Sequence, residues 1–345
     1  MSLQENIQHN LGALLQQQQR LKIEYLINYK TLLKTISKND SDVMKGLTQI
    51  PKSIPMHYRY DDRGSQLFEK ICELPEYYLT RTETGILQQC ASEIARITGA
   101  CEIVELGSGN AVKTRILLDA YNQLGSSLRY LPIDISAGIL QSSALDLLND
   151  YPSLQVHAFA GTFELALEKL PPSRLPSRMI SFIGSTLSGF DSEQADKLIS
   201  QVATALQSGE YFLLGIDLHK SKKQLEAAYN DAQGVNAEFN FNILKHLNSK
   251  FVGNFETSNF EHVVTYNESL HQIEVYLRSC QKQKAYLRGI NLNIAIEAGE
   301  LIVTGIARKF ELSSMEEKLR LFGLEMLKLW TDANQWYALL LCQRQ

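Results

Sequence analysis

The run CEIVELGSGN, Cys101 to Asn110, constrains the fold more than any other stretch of the chain. It is apolar, too short for a stable helix, and stops at Gly107-Ser108-Gly109. The amphipathic segment VKTRILLDAYNQL follows at once. A short apolar run, a glycine turn and an amphipathic segment read as buried parallel strand, tight turn and crossover helix. Glycine suits that turn because a side chain would block a ligand and because the backbone needs φ > 0.

The same unit recurs. RYLPIDIS is a second strand and AGILQSSALDLLNDY a second helix. LQVHAFAG, RMISFIGST and EYFLLGIDL are further strands, with helices at Phe163 to Leu170 and Ser192 to Leu206. This succession predicts an α/β fold, a doubly wound, Rossmann-like parallel sheet with right-handed crossovers. After Asp217 the pattern changes. Two helices broken at Gly234 precede the strand-like runs HVVTYNE, HQIEVYLRS, AYLRGINLNIAI and ELIVTGIARKF, which predict an antiparallel sheet. A helix, SSMEEKLRLFGLEMLKLW, and a strand, WYALLLCQR, then complete the first sheet. The expected organisation is a sheet domain at 83–219 plus 310–345. A smaller α+β substrate domain comprises 46–82 plus 220–309. Residues 1–45 form a helical extension, with Leu14, Leu21, Ile23, Leu26, Ile27, Leu32, Leu33 and Ile36 at helical spacing. Asp61-Asp62-Arg63-Gly64 reads as a turn, Ser65 as the cap of the next helix and Thr82 as the N-cap of RTETGILQQCASEIARI.

Composition narrows the function. Among 345 residues, 44% are hydrophobic and 21% charged, enough for a real core. The net charge of -4, with no run of five Lys/Arg, argues against nucleic acid and for a small-molecule partner. No apolar stretch approaches the roughly 20 residues of a membrane span. Five cysteines without a C-x-x-C pair give no metal or redox spacing, and the odd count with a polar N-terminus points to reduced thiols in the cytoplasm. The expected state is a monomer or weak homodimer.

The glycine turn has the form G-x-G-x-x-V, with Val112 last, and is not the full dinucleotide fingerprint. Asp134 ends the next strand, where a carboxylate can accept two hydrogen bonds from a ribose diol. Glu105 favours S-adenosyl-L-methionine over a dinucleotide: a carboxylate attracts an ammonium and a sulfonium and repels a pyrophosphate. Gly107, Ser108 and Gly109 then line the cofactor.

Six motifs add a resemblance: Tyr60-Asp61 with Gly64-Ser65, LPEYYLTRTE, ELGSGNAVKTR, GST at Gly184 to Thr186, AYNDAQGVNAEFN and FEHV. From about Pro51 onward the chain resembles the ergothioneine-pathway histidine Nα-methyltransferases (EgtD-like), which include fungal N-methyltransferases of prenylated tryptophan. The resemblance implies a class I methyltransferase domain with a second domain closing over an amino-acid substrate. It puts Gly107, Lys113, Asp134 and Phe163 at cofactor positions. Thr162 stands where an Asp usually binds the adenine amino group; a hydroxyl can accept the same bond more weakly. Tyr77 matches a tyrosine on the substrate, Tyr229 one that binds its carboxylate, and Tyr60 one at the junction of the two ligands. Tyr60 and Tyr77 are the expected orienting residues in catalysis.

The same resemblance fails where it would specify histidine. The Asn that binds the α-amino group is here Gly189, leaving a hydroxyl such as Ser188 or water. The Glu and Ser that read the imidazole are Gly305 and Ala307, and a third pocket position is Val275. Each lost partner costs a histidine complex roughly 1–3 kcal/mol. The expected activity is N-methylation of an amino acid or amino-acid-derived amine other than histidine. Small apolar replacements predict a roomier pocket for a bulkier, less polar side chain, such as an aromatic one. The alternatives are histidine itself, with Asn240-Phe241-Asn242 supplying polar groups, a guanidine or cyclic amine, and a degenerate cofactor-binding protein. His262 is open to reading as general base or structural residue, and Lys113 as ligand or solvated side chain.

Overall fold

The computed structural model describes residues 19–26 and 42–345. Its strands, in chain order, are β1 (Leu21–Tyr25), β2 (Lys52–Ser53), β3 (Cys101–Leu106), β4 (Arg129–Asp134), β5 (Gln155–Ala160), β6 (Ser177–Phe182), β7 (Tyr211–Asp217), β8 (Phe260–Asn267), β9 (Gln272–Ser279), β10 (Gln283–Leu287), β11 (Leu292–Ile296), β12 (Leu301–Arg308), β13 (Leu324–Thr331) and β14 (Tyr337–Arg344). Eight form one sheet in the order β1-β5-β4-β3-β6-β7-β14-β13. Strands β3 to β7 pair in parallel, and β14 runs antiparallel to β7 and β13. This is the Rossmann-like sheet expected. Chain order runs outward in one direction from β3 and in the other from β6, so a crevice opens above their carboxyl ends.

Strand β3 is buried throughout because both faces are covered. Cys101 and Ile103 enter one apolar layer, with Leu117 and Leu118 from the next helix. Val104 and Leu106 enter the other, with Leu198 and Val202. Such double burial is why the strand reads as a continuous apolar run.

A smaller sheet, β2-β12-β9-β8, and the β10-β11 hairpin come from the chain beyond β7, except for β2, which precedes β3 and pairs in parallel with β12. Helix Val235–Phe251 packs Ile243, Leu244, Leu247 and Phe251 with Ile54, Tyr58, Leu277 and Ile302. Val43 and Leu47, in a helical stretch at 42–48, join this core.

Several expectations need correction. Leu21–Tyr25 is a strand, parallel to β5, and not part of a helix. Leu21 and Ile23 alternate with Lys22 and Glu24, a period of two that wider helical spacing obscured. The other parts of the expected extension, 1–18 and 27–41, lie outside the described residues. The last helix stops at Leu321. Gly323, at φ 73°, ends it, and LEMLKLWT becomes β13. Asp61, not Ser65, caps helix Asp62–Glu73 by accepting from Gly64 N at 2.8 Å. Helix Tyr78–Thr98 begins before Thr82, whose hydroxyl donates back to Tyr78 O.

Candidate active site

At the crevice, Gly107 and Gly109 adopt φ of 77° and 49°. Gly107 N donates to Ile133 O at 2.8 Å, tying the turn to the end of β4. A Cβ on Gly107 would lie 3.5 Å from the Phe163 ring, so glycine leaves a slot under that ring. Asp134 accepts from Gly109 N at 3.0 Å and from Ser136 N at 2.9 Å. Burial raises its carboxyl, and those backbone N–H groups oppose the shift. Ser108 is buried in the turn. Thr162 caps helix Phe163–Glu168, accepting from Leu165 N at 3.4 Å.

Glu105 sits deeper than its motif position implied. Its Oε2 accepts from both Thr114 Oγ1 and Tyr130 OH. Burial pushes it up to about 7, against the pull of those hydroxyls. It therefore faces a protein hydroxyl pair inside the layer.

The carboxylate that organises the crevice is one that sequence reading did not single out. Glu83 is buried and accepts from Gly184 N at 2.7 and 2.9 Å and from Tyr337 OH at 2.7 Å. It also pairs with Lys113. One side chain thus joins the helix after the glycine turn, the loop after β6 and strand β14. The Lys113 ammonium lies against Gly184, 3.1 Å from where a Cβ would stand. Next to it, Ser185 Oγ is buried without a hydrogen-bond partner.

The LPEYYLTRTE motif now has a physical reading. Arg81 donates to the carbonyls of Leu74, Pro75 and Tyr77, which fixes the loop carrying Tyr77. Tyr78 OH donates to Asp217 at the end of β7. Asp217 also takes Lys309 at 2.7 Å and Lys220 at 2.6 Å, all fully or nearly fully buried. Burial lowers Lys220 to about 8. Burial would lower Lys309 too, but Asp217 and Tyr229 more than reverse it.

Tyr77 and Tyr229 meet edge to face at 6.0 Å. Phe68 stands 6.3 Å from Tyr77 and 5.8 Å from Tyr60, and Tyr60 stands 5.4 Å from Phe239. The three predicted tyrosines therefore share one aromatic wall. The Tyr60 residue is 39% exposed, with its hydroxyl turned inward among the other rings; burial of the hydroxyls raises all three tyrosines above the usual range, so all are neutral donors at pH 7. Lys309 Nζ donates to Tyr229 Oη at 3.0 Å, which turns the tyrosine's own proton elsewhere.

Val275 and Gly305 are direct partners across β9 and β12. Val275 and Ala307 pack with Leu225, Ile273 and Tyr266 beside Tyr229. The room expected at Gly305 is occupied. A Cβ on Gly305 would come 2.8 to 3.0 Å from the Arg59 guanidinium, which takes up the space. Arg59 is 8% exposed and bonds to Thr304 Oγ1 at 2.8 Å and Asn240 Oδ1 at 3.4 Å. Burial lowers it to about 10, so it remains a cation. Gly189 is likewise covered, by the tip of Met56, and Ser188 beside it is buried.

His262 is structural. Its Nε2 donates to Tyr229 O at 3.0 Å, so its Nδ1 accepts from Asn240 Nδ2, also at 3.0 Å. Both nitrogens are committed, and burial lowers its basicity. Asn240 is thus the polar residue that the NFN segment contributes, while Asn242 holds Asp61 at 2.7 Å. The five cysteines are free thiols, and among the described residues no helix is long and apolar enough to cross a membrane.

A profile described as histidine-specific methyltransferase, SAM-dependent, matches residues 39–344. The chain belongs to this family. It is 39% identical to a histidine N-alpha-methyltransferase of Mycolicibacterium smegmatis, over 84% of this chain and 90% of that one. Identity to the histidine N-alpha-methyltransferase of Mycobacterium tuberculosis is 36%, with the same coverage. It is also similar, at 23% identity over 86% of this chain and 90% of the relative, to an L-tryptophan methyltransferase of Psilocybe serbica. The protein is an S-adenosylmethionine-dependent N-methyltransferase with a Rossmann-like fold. The residues at the crevice fit the cofactor: Gly107 leaves the space before the Phe163 ring unfilled, the Asp134 carboxylate ends the second strand, and the Ser185 hydroxyl is buried without a partner.

Proposed function

We propose that this enzyme methylates the α-amino group of an amino acid other than histidine. The observation that carries this reading is Arg59. Where the sequence lacks the Glu and Ser expected to read an imidazole, the space holds a guanidinium. A fixed cation there disfavours a side chain that itself protonates near neutrality.

The bound cofactor supplies an electrophilic methyl on a sulfonium. Gly107, Ser108, Gly109, Asp134, Thr162 and Phe163 would hold its adenosine end, and Lys113 with Glu83 would hold its amino-acid end. Glu105 stiffens the turn from below through Thr114 and Tyr130. On the acceptor side, Tyr229 donates to the α-carboxylate, its oxygen polarised by Lys309. Tyr77 and Tyr60 wall the amine and aim its lone pair, so their contribution is orientation in a dry cleft. The aromatic wall around the amine supplies no general base: Tyr60 and Tyr77 are neutral at pH 7 and both nitrogens of His262 are committed. The amine reacts through its deprotonated fraction, since an ammonium has no lone pair to attack the methyl, so turnover should rise with pH.

The experiment is release of S-adenosylhomocysteine from purified protein given S-adenosylmethionine and each common amino acid, with decarboxylated amines as controls. Turnover of one or more amino acids above histidine is expected. Histidine as the best acceptor overturns the assignment.

A further inference from the structure

Among the described residues, Lys309, Lys220 and Arg59 are buried cations near the acceptor cleft, and Arg59 alone of the three has no anion. Lys309 rests on Asp217. Arg59 has a hydroxyl, an amide oxygen and the Phe239 ring, 5.7 Å from its Cζ. Among the described residues no carboxylate pairs with it, and its Nε is buried without a hydrogen-bond partner. The titratable groups that bear on it are Tyr60, Tyr229 and His262, all neutral at pH 7. A buried, unpaired charge is costly. A guanidinium fork matches a carboxylate closely, so a bound carboxylate removes that cost.

The chain is built around this arginine. Gly305 has no side chain where its guanidinium lies, and Gly64 has none where its carbonyl lies. The strand β12 ladder slips between Val303 and Gly305, and Thr304 there accepts from Arg59 and donates to Asn240 at 2.6 Å or Val275 O at 3.0 Å. Asn240 is oriented in turn by His262 and Tyr276 O. The guanidinium is held at a set point of the second unit, on β12 and helix Val235–Phe251.

We propose that Arg59 binds a carboxylate in the side chain of the acceptor, so that the methylated compound is an acidic amino acid. This rests on the amino-acid reading above. The α-carboxylate is one carbon from the amine and belongs with Tyr229 and Lys309, next to the end of β7. Arg59 hangs on different elements and is a second anion seat. One guanidinium balances the single charge of a carboxylate and undercompensates a phosphate ester, which carries about -1.5 to -2.

The test uses the full chain loaded with S-adenosylhomocysteine, titrated calorimetrically with L-glutamate, L-aspartate, their amides L-glutamine and L-asparagine, and O-phospho-L-serine. An acid should bind at least about 10-fold more tightly than its amide, and Arg59→Met should weaken the acid about 100-fold and the amide little. Arg59→Lys should restore part of the preference. Unchanged S-adenosylhomocysteine affinity shows that each variant is folded. Equal binding of acid and amide overturns the proposal, as does a variant that weakens both alike, which would assign Arg59 to the α-carboxylate. Tightest binding of O-phospho-L-serine overturns the carboxylate assignment. Methylation of amino acids with no acid preference sinks this proposal alone. Arg59-dependent binding of glutamate with no methylation of any amino acid supports it and sinks the amino-acid reading.

Discussion

The two sides of the cleft are built differently. The cofactor side is set by backbone: a glycine turn, an absent Cβ, and N–H groups that fix the Asp134 and Glu83 carboxylates in place. The acceptor side is made of side chains: an aromatic wall, a lysine on Asp217 and an arginine seated between glycines. A backbone site changes only if the fold changes, so it marks the reaction. A side-chain site can be rewritten residue by residue, so it marks the substrate.

The strongest challenge to this contrast is Glu83→Ala. It strips the partner from Gly184 N, Lys113 and Tyr337 together, and should cost about 3 kcal/mol of stability, near the lower end for breaking a buried pair. Cofactor affinity should fall with it. Thermal melts and calorimetry with S-adenosylhomocysteine will decide; a variant that binds the cofactor normally would mean the backbone site is not organised from this carboxylate.

Glu105→Gln probes the same side through pH. The folded carboxyl sits near 7 against an ordinary 4.5, so the folded state binds more protons between those values. Stability of the parent protein should therefore decline as pH rises from 4.5 to 7, by up to about 3 kcal/mol. The Gln variant should lose that decline in urea melts run across the window. An unchanged slope would place the titration elsewhere.

On the acceptor side, Tyr229→Phe removes the hydroxyl that Lys309 polarises. The acceptor KM should rise about 10-fold, as for loss of a hydrogen bond to a charged group, with cofactor affinity unchanged. Equal loss on both ligands would erase the division. The smallest effect is expected for Thr162→Asp. Aspartate caps a helix as well as threonine does, so the fold should be kept, and a carboxylate there should tighten the cofactor a few-fold. Weaker binding would show that the adenine does not reach this residue.

Much of the main sheet was legible because β3 to β7 are short apolar runs with glycine or acidic ends, and their period leaves little choice. Strands β1 and β13 were not, because leucine and isoleucine spaced by two, three and four residues satisfy helix and strand templates together. Within the site, glycines and Asp134 were legible from local rules. Glu83 stood in view inside LPEYYLTRTE, but its role depends on Gly184, 101 positions away. Arg59 carried no local mark at all. Its meaning comes from Asn240 and Thr304, separated by 181 and 245 positions. Gly305 and Ala307 were read as lost polarity, and a pairwise comparison of positions could not show that the lost group had been replaced from another element.

Strand β1 has a further consequence. A parallel sheet that ended at β5 would present a fully buried-type strand to solvent, with its row of unused N–H and C=O groups open to another chain. Instead, among the described residues, the strand at this edge is five residues long and carries Lys22 and Glu24. Leu26, just past it, donates to Ala160 O and presses its side chain onto Gly161. Residues 21–26 thus form a short, charged border to the sheet beside Gly161, where the adenosine side of the cleft begins.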